Sequence, residues 1–355
     1  MRYIKPLKKV LLTGTKALMF SALQQPISHH KKINNSEQIK PILFMHGFMG
    51  FTERKIMNVT LFDYFNGVHN ILEHLGYRIY SPSVNSLASA HDRCNEWSQH
   101  IDNILLETGA DKVHIIAHSQ GAIDARILAT SISNHCSTPH HGELYGRGYG
   151  EYIASITSIA GPHNGTPLAD PIYTDDEDCE LMLDAVNLIA MMNGSTVRKA
   201  RQALDSLSRR YMQDVFNPAM KVLNTIPCFT VAGNPSDQKD LSFMFDLTWQ
   251  KLMDTAIEDG GGENDGFVPV SSARFDNCHG LLAGTDQPQW QHLGDVNADH
   301  TALIGMQEEH LHQHFNFQPL YVGLAQHSDS CFIDHMHLAL QSDGEWQRQA
   351  LNQSA

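Results

Sequence analysis

The chain has 355 residues, 42% of them hydrophobic and 18% charged, enough apolar material for one large core without disordered bulk. With 39 acidic residues against 25 basic ones it carries a formal charge of −14, which argues against nucleic acid or an anionic membrane as the main partner. Six cysteines with no C-x-x-C pair give no support to a zinc knuckle or a thioredoxin motif, and reduced thiols are the plainer reading.

Residues 1–40 read as an N-terminal extension. Arg2, Lys5, Lys8 and Lys9 precede a mostly apolar run, the pattern of a secretory signal or of a basic amphipathic helix lying on a membrane. Lys16 interrupts that run, and no small-x-small cleavage site follows. A secreted or membrane-surface location is favoured over a purely cytoplasmic one. No segment reaches the ~20 apolar residues needed to span a bilayer.

Residues 41–45, P-I-L-F-M, predict a strand that runs into His46-Gly47-Phe48-Met49-Gly50. Residues 64–75 have apolar positions at helical spacing and stop at Gly76, and residues 77–80 follow as a strand. Residues 92–106 form the next helix, with Trp97, Ile101, Ile104 and Leu105 as its apolar stripe and Gly109 as its end. This alternation predicts an α/β fold, a mostly parallel sheet flanked by helices.

Residues 112–121, K-V-H-I-I-A-H-S-Q-G, are the centre of the pattern. Val113, Ile115 and Ile116 belong to a buried strand, and Ala122 onward is helical. Between them lies a G-x-S-x-G turn with Ala117 in the first small position. Strand, sharp turn with a central serine, helix: this predicts a nucleophile elbow that presents the Ser119 hydroxyl at the sheet's carboxyl edge. The Gln120 N–H at the start of the helix is one candidate oxyanion donor, and the Phe48 N–H in the H-G loop is the second.

Residues 153–159 predict another strand, and A-G-P-H-N-G-T-P at 160–167 is the loop at its end. Residues 170–222 then break the alternation. Leu181, Met182, Leu183, Val186, Leu188, Ile189, Met191 and Met192 make that stretch apolar on more than one face, and it reads as a helical lid over the serine. Residues 227–232 are a late strand, 233–262 a second insertion, and 315–325 a closing helix or strand pair. The hydrolase-like domain is taken as 41–328 and the tail as 329–355.

A serine hydroxyl needs a base to take its proton, and the base needs a carboxylate to fix its tautomer. The chain order expected for this architecture is serine, acid, histidine. Asp237, Asp240, Asp246, Asp265 and Asp276 are the acid candidates. Asp265 is the best, because its N-D-G turn leads straight into the apolar, strand-like V-P-V. His279, His292, His300 and those from His310 onward are the histidine candidates; His300 is favoured, with His292 as its rival.

With these motifs placed, the chain resembles the bacterial true lipases, most closely the branch of Bacillus-type and staphylococcal enzymes. The resemblance rests on P-I-L-F-M-H-G-F-M-G at 41–50, G-Y-R-I-Y at 76–80, D-R-C-N-E at 92–96 and V-H-I-I-A-H-S-Q-G at 113–121. It continues through A-G-P-H-N-G-T at 160–166, N-D-G at 264–266 and L-G-D-V-N-A-D-H-T-A-L-I-G at 293–305. It implies the α/β-hydrolase fold, Ser119 as nucleophile, Asp265 as acid, His300 as base, and Phe48 and Gln120 as oxyanion amides. Two departures count against the metals of that branch. Ala302 stands where a calcium-binding acid would be. Asp92 matches a zinc ligand, but the interval before Ser119 is too short for the histidine-bearing insertion. No metal or other cofactor is expected.

The function expected is a serine ester hydrolase, a lipase acting on acylglycerols or similar lipid esters at an interface. A short-chain carboxylesterase, a phospholipase and a polyester depolymerase are the alternatives within the enzyme class. A catalytically silent hydrolase fold used for binding is the alternative outside it.

Overall fold

The computed structural model describes residues 40–47, 55–56, 59–60, 64–86, 88–138, 142–173, 204–257, 260–275, 290–307 and 315–330. Its centre is a six-stranded sheet. The strands are β1 (Ile42–Met45), β4 (Ile79–Tyr80), β5 (Val113–His118), β8 (Ile153–Ile159), β9 (Cys228–Gly233) and β10 (Trp290–Val296). Two small antiparallel pairs lie outside it: β2 (Lys55–Ile56) with β3 (Val59–Thr60), and β6 (His135–Thr138) with β7 (Gly142–Tyr145). The sheet order is β10-β9-β8-β5-β1-β4, and every pairing is parallel.

Because both faces are covered, the central strands β1, β5, β8 and β9 are buried at nearly every position rather than at alternate ones, and β1 is apolar throughout. Leu43 and Met45 of β1 point to one side, Ile42 and Phe44 to the other. The first side is covered by α2 (Ala90–Thr108) and α3 (Gln120–Leu128), through Trp97, Ile101, Ile123 and Ile127. The second is covered by α1 (Val68–His74) and α8 (Phe317–Ser330), through Leu72, Tyr321 and Leu324.

The helix expected at 64–75 starts later, at Val68. Tyr64 and Phe65 form a buried turn before it, and Gly67 supplies the left-handed φ of 77° that the turn needs. The 315–325 segment is a helix. The V-P-V after Asp265 is not a strand: Pro269 caps the short helix α7 (Val270–Ala273), and only an isolated bridge joins Asn264 to Pro269.

Within the predicted lid, the apolar stretch 181–192 lies outside the described residues. Residues 204–222 run through α4 (Arg209–Tyr211), a π turn (Met212–Phe216) and α5 (Asn217–Ala219). Leu207, Tyr211, Met212, Phe216 and Met220 pack in the core beside α3. The second insertion carries α6 (Asp246–Asp254). Cys94, Cys136 and Cys228 are buried free thiols.

Candidate active site

β5 ends at His118, and Ser119 takes φ 57° and ψ −131° before α3 begins. An L-residue adopts that backbone only when its surroundings impose it. Here the Ser119 N–H donates to Ile159 O at 2.9 Å, while the Ala122 N–H donates to Ser119 O at 3.0 Å. Close packing sets the small residues around it. A Cβ on Gly121 would lie 2.5 Å from Met45 O, and one on Gly47 would lie 2.7 Å from Ser119 Cβ. The H-G loop and the elbow are therefore in direct contact. Gln120 opens α3, so its N–H belongs to the first turn, whose amides lack intrahelical partners. Phe48 lies outside the described residues.

Asp265 and His300 come from separate loops and meet. The His300 Nδ1–H donates to Asp265 Oδ2 at 2.7 Å, and the His300 N–H donates to Asp265 O at 2.9 Å. The other carboxylate oxygen accepts the N–H groups of Phe267 and Val268, at 2.9 and 2.7 Å. Asp265 is therefore fully bonded and buried, with one oxygen committed to the imidazole. The His300 ring lies 4.6 Å from the His118 ring, the residue just before Ser119, and 5.4 Å from Phe267. Asp299 shapes the turn that carries His300: its carboxylate accepts from Thr301 N–H, Ala302 N–H and both the N–H and hydroxyl of Ser242.

The rival candidates fall elsewhere. Asp237 caps its own turn, accepting from the Lys239 N–H, and Asp246 lies in the first turn of α6. Asp240 ends the short turn that Asp237 caps. His292 is in β10, bonded to Asp295 at 2.9 Å and to the Thr230 hydroxyl at 3.0 Å. Asp276, His279 and His310 lie outside the described residues.

A buried polar cluster behind the H-G loop was not foreseen. Arg93 donates to Asp124 through Nε at 2.8 Å and to His46 O through Nη2 at 2.9 Å, and Trp97 Nε1 donates to the same carboxylate at 3.1 Å. Arg93 and Asp124 are both fully buried. Burial raises the Asp124 carboxyl despite the guanidinium beside it. His46 itself is held neutral, pulled down to about 3 by burial and then by the Arg93 charge. Its Nε2 accepts from the Val84 N–H at 3.0 Å, and its Nδ1–H donates to Gly47 O at 2.9 Å. The sequence carried a signal: Arg93 interrupts the apolar stripe of α2 one turn before Trp97, and Asp124 interrupts an otherwise apolar turn of α3.

Ala302 is buried. Among the described residues no group of three or more His, Cys, Asp or Glu side chains is arranged to hold a metal.

No family model matches the chain. It is 28% identical to Lipase 1 of Staphylococcus aureus over 83% of its own length and 56% of that protein. It is 31% identical to the triacylglycerol lipase of Pseudomonas fragi over 37% of each chain. The chain thus spans about half or less of the curated relatives it matches. The crystal structure of Staphylococcus hyicus lipase superposes with a TM-score of 0.58 at 19% identity, covering 86% of this chain and 98% of that one. The chain has the α/β-hydrolase fold. The resemblance to bacterial lipases holds in both sequence and structure, and the elbow, the H-G loop and the Asp265–His300 pair all lie at the carboxyl end of this hydrolase sheet.

Proposed function

We propose that the chain is a serine ester hydrolase acting on acylglycerols or related lipid esters, with Ser119, His300 and Asp265 as its triad. The observation that carries this reading is the Asp265–His300 hydrogen bond, with the His300 ring packed on the residue that precedes the strained serine. In the reaction His300 takes the proton of Ser119 Oγ as that oxygen bonds to the ester carbonyl carbon. The amides of Phe48 and Gln120 hold the resulting oxyanion. His300 then gives its proton to the leaving alcohol as the C–O bond breaks, and repeats both transfers with water to release the acid and free serine. Asp265 orients the imidazole and stabilises its charged form.

A lipid substrate is favoured over a small soluble ester by the second insertion, which joins the site at both ends. Ser242 bonds Asp299 beside His300, and the Asn264 side chain next to Asp265 donates to Trp249 O. Between them Met244, Leu247, Met253 and Ile257 project exposed apolar side chains. Residues 170–222 are proposed to include a cap over the cleft, supported by the apolar sequence at 181–192. No described helix is long and apolar enough to cross a membrane. Export is proposed from residues 1–40, and N-terminal sequencing of the protein from its host tests it.

Ser119→Ala is expected to lower the rate on p-nitrophenyl esters by about 10⁶-fold, the scale seen for loss of a triad nucleophile, and to abolish labelling by a fluorophosphonate probe. Retained hydrolysis would refute the mechanism; absence of labelling in the unaltered chain would favour a silent binding protein. Leu247→Ser should reduce the rate on a triacylglycerol emulsion more than on p-nitrophenyl butyrate in solution. Equal effects would point to a soluble-ester esterase.

A further inference from the structure

We propose that Tyr64 is a positioning residue whose hydroxyl seats the H-G loop directly, fixes the tautomer of His118, and through that ring seats the imidazole of His300. This rests on the assignment of Ser119 and His300 made above.

Tyr64 lies in the buried turn before α1, distant in sequence from the elbow. Its hydroxyl accepts the Gly47 N–H at 3.1 Å and lies 2.8 Å from His118 Nδ1. The direction of the second bond follows from proton counting. A phenol oxygen can accept twice, but Nδ1 is the acceptor available to its own proton among the described residues, so the assignment that satisfies both groups has the hydroxyl donate to Nδ1. In that assignment His118 carries its own proton on Nε2. Burial pushes the phenol further above its ordinary range, so it stays a neutral donor at every working pH. Burial first, and then the neighbouring His300 imidazole, hold His118 well below the usual histidine range, partly opposed by the backbone of His300.

The contacts leave no slack. A Cβ on Gly47 would lie 3.0 Å from the phenol oxygen as well as against Ser119, so the hydroxyl, the loop and the elbow touch. The His118 ring then lies against both the Tyr64 ring, at 5.8 Å, and the His300 ring, at 4.6 Å. One hydroxyl thus ties together the loop that precedes the oxyanion donor, the strand that presents the nucleophile, and the ring that presents the base. Keeping His118 uncharged matters for the same reason. A cation there would oppose the imidazolium that must form on His300 4.6 Å away.

Removing the hydroxyl leaves a buried N–H and a buried ring nitrogen without partners, and loosens the ring on which His300 rests. Y64F in the full chain should lower kcat on p-nitrophenyl butyrate about tenfold, with KM within about twofold, when rates are normalised to sites titrated by a fluorophosphonate. H118N, whose side-chain oxygen can accept the Tyr64 proton although it lacks the ring, should keep more of kcat than H118L, which can accept no proton and should lose at least as much as Y64F. The imidazole ¹⁵N spectrum of His118, recorded without substrate, should show one Nε2–H form in the native chain and mixed tautomers in Y64F. An unchanged His118 spectrum in Y64F, an unchanged kcat per titrated site, or an H118L variant as active as H118N would each overturn the proposal. Inactivity of the native chain on every ester would instead overturn the hydrolase reading, because the spectrum is independent of turnover.

Discussion

Two histidine–aspartate pairs stand in the carboxyl-side half of the sheet, built from the same residue types at nearly the same distance. His300 meets Asp265 at 2.7 Å, and His292 meets Asp295 at 2.9 Å. Their surroundings differ in every other respect. Asp265 is buried, has no cationic partner among the described residues, and is bonded by backbone amides. Asp295 is shared with the Arg274 guanidinium, and the second nitrogen of His292 is taken by the Thr230 hydroxyl. A carboxylate already neutralised by arginine stabilises an imidazolium weakly, and a ring bonded at both nitrogens has no edge left for a substrate. The pair's chemistry therefore resides in what else the carboxylate and the second ring nitrogen touch.

The largest expected effect tests that contrast directly. Asp265→Asn should lower kcat about 10⁴-fold, because the amide stabilises the wrong tautomer and cannot balance the imidazolium. Asp295→Asn should leave kcat within about threefold, since its imidazole takes no part in the proposed proton transfers. Steady-state rates on one soluble ester decide it, and comparable losses in the two variants would erase the distinction.

For the salt-bridged pair the expected effect is on stability rather than on rate. Burial would raise the Asp295 carboxyl, but hydrogen bonds from His292 and Arg274 more than offset this and hold it below the usual range. A depressed carboxyl stabilises the fold above its unfolded pKa and loses that contribution as the pH falls through the folded value. Replacing Asp295 by Asn should cost ~1 kcal/mol near neutral pH, a modest figure because both partners are partly exposed. Urea midpoints should show the same difference from the native chain at pH 7 and at pH 6, both above the range in which this carboxyl titrates.

The sequence made the alternation of strands and helices legible because both periods were clean, and the elbow was legible because strand, turn and helix all agreed. Pattern alone separated the two histidines only narrowly, in favour of His300. His292 lies in W-Q-H-L-G-D-V, too polar to read as a buried strand. The register shift between His292 and Gly294 is what lets Asp295 reach the ring. The N-D-G turn pointed to Asp265, which bonds His300 in the fold, but V-P-V promised a strand where proline starts a helix, because apolar character and a missing N–H pull in opposite directions there. Tyr64 left no trace in the sequence: its role depends on a contact with His118, 54 residues away, that only the fold creates.

A third set of histidines extends the comparison to acid stability. His46, His114, His118 and His163 are buried with hydroxyl or backbone partners in place of a carboxylate. Burial lowers all four, His46 to about 3 and His114 to about 4. For a base with a depressed folded pKa, the unfolded chain binds the extra proton, so the penalty is absent above about pH 6.5 and grows as the pH falls towards the folded values. Each such histidine removes about 1.4 kcal/mol per pH unit once the unfolded form is protonated, and four together remove on the order of 5. Set against a total stability of roughly 5–15 kcal/mol, that slope predicts cooperative unfolding between about pH 6 and pH 4. Circular dichroism across that range should show it, and His114→Gln, which keeps a partner for Ser155 and cannot be protonated, should shift the midpoint down by a few tenths of a pH unit, on the order of one quarter of the slope. A midpoint that does not move would mean that His114 takes up its proton without unfolding the chain.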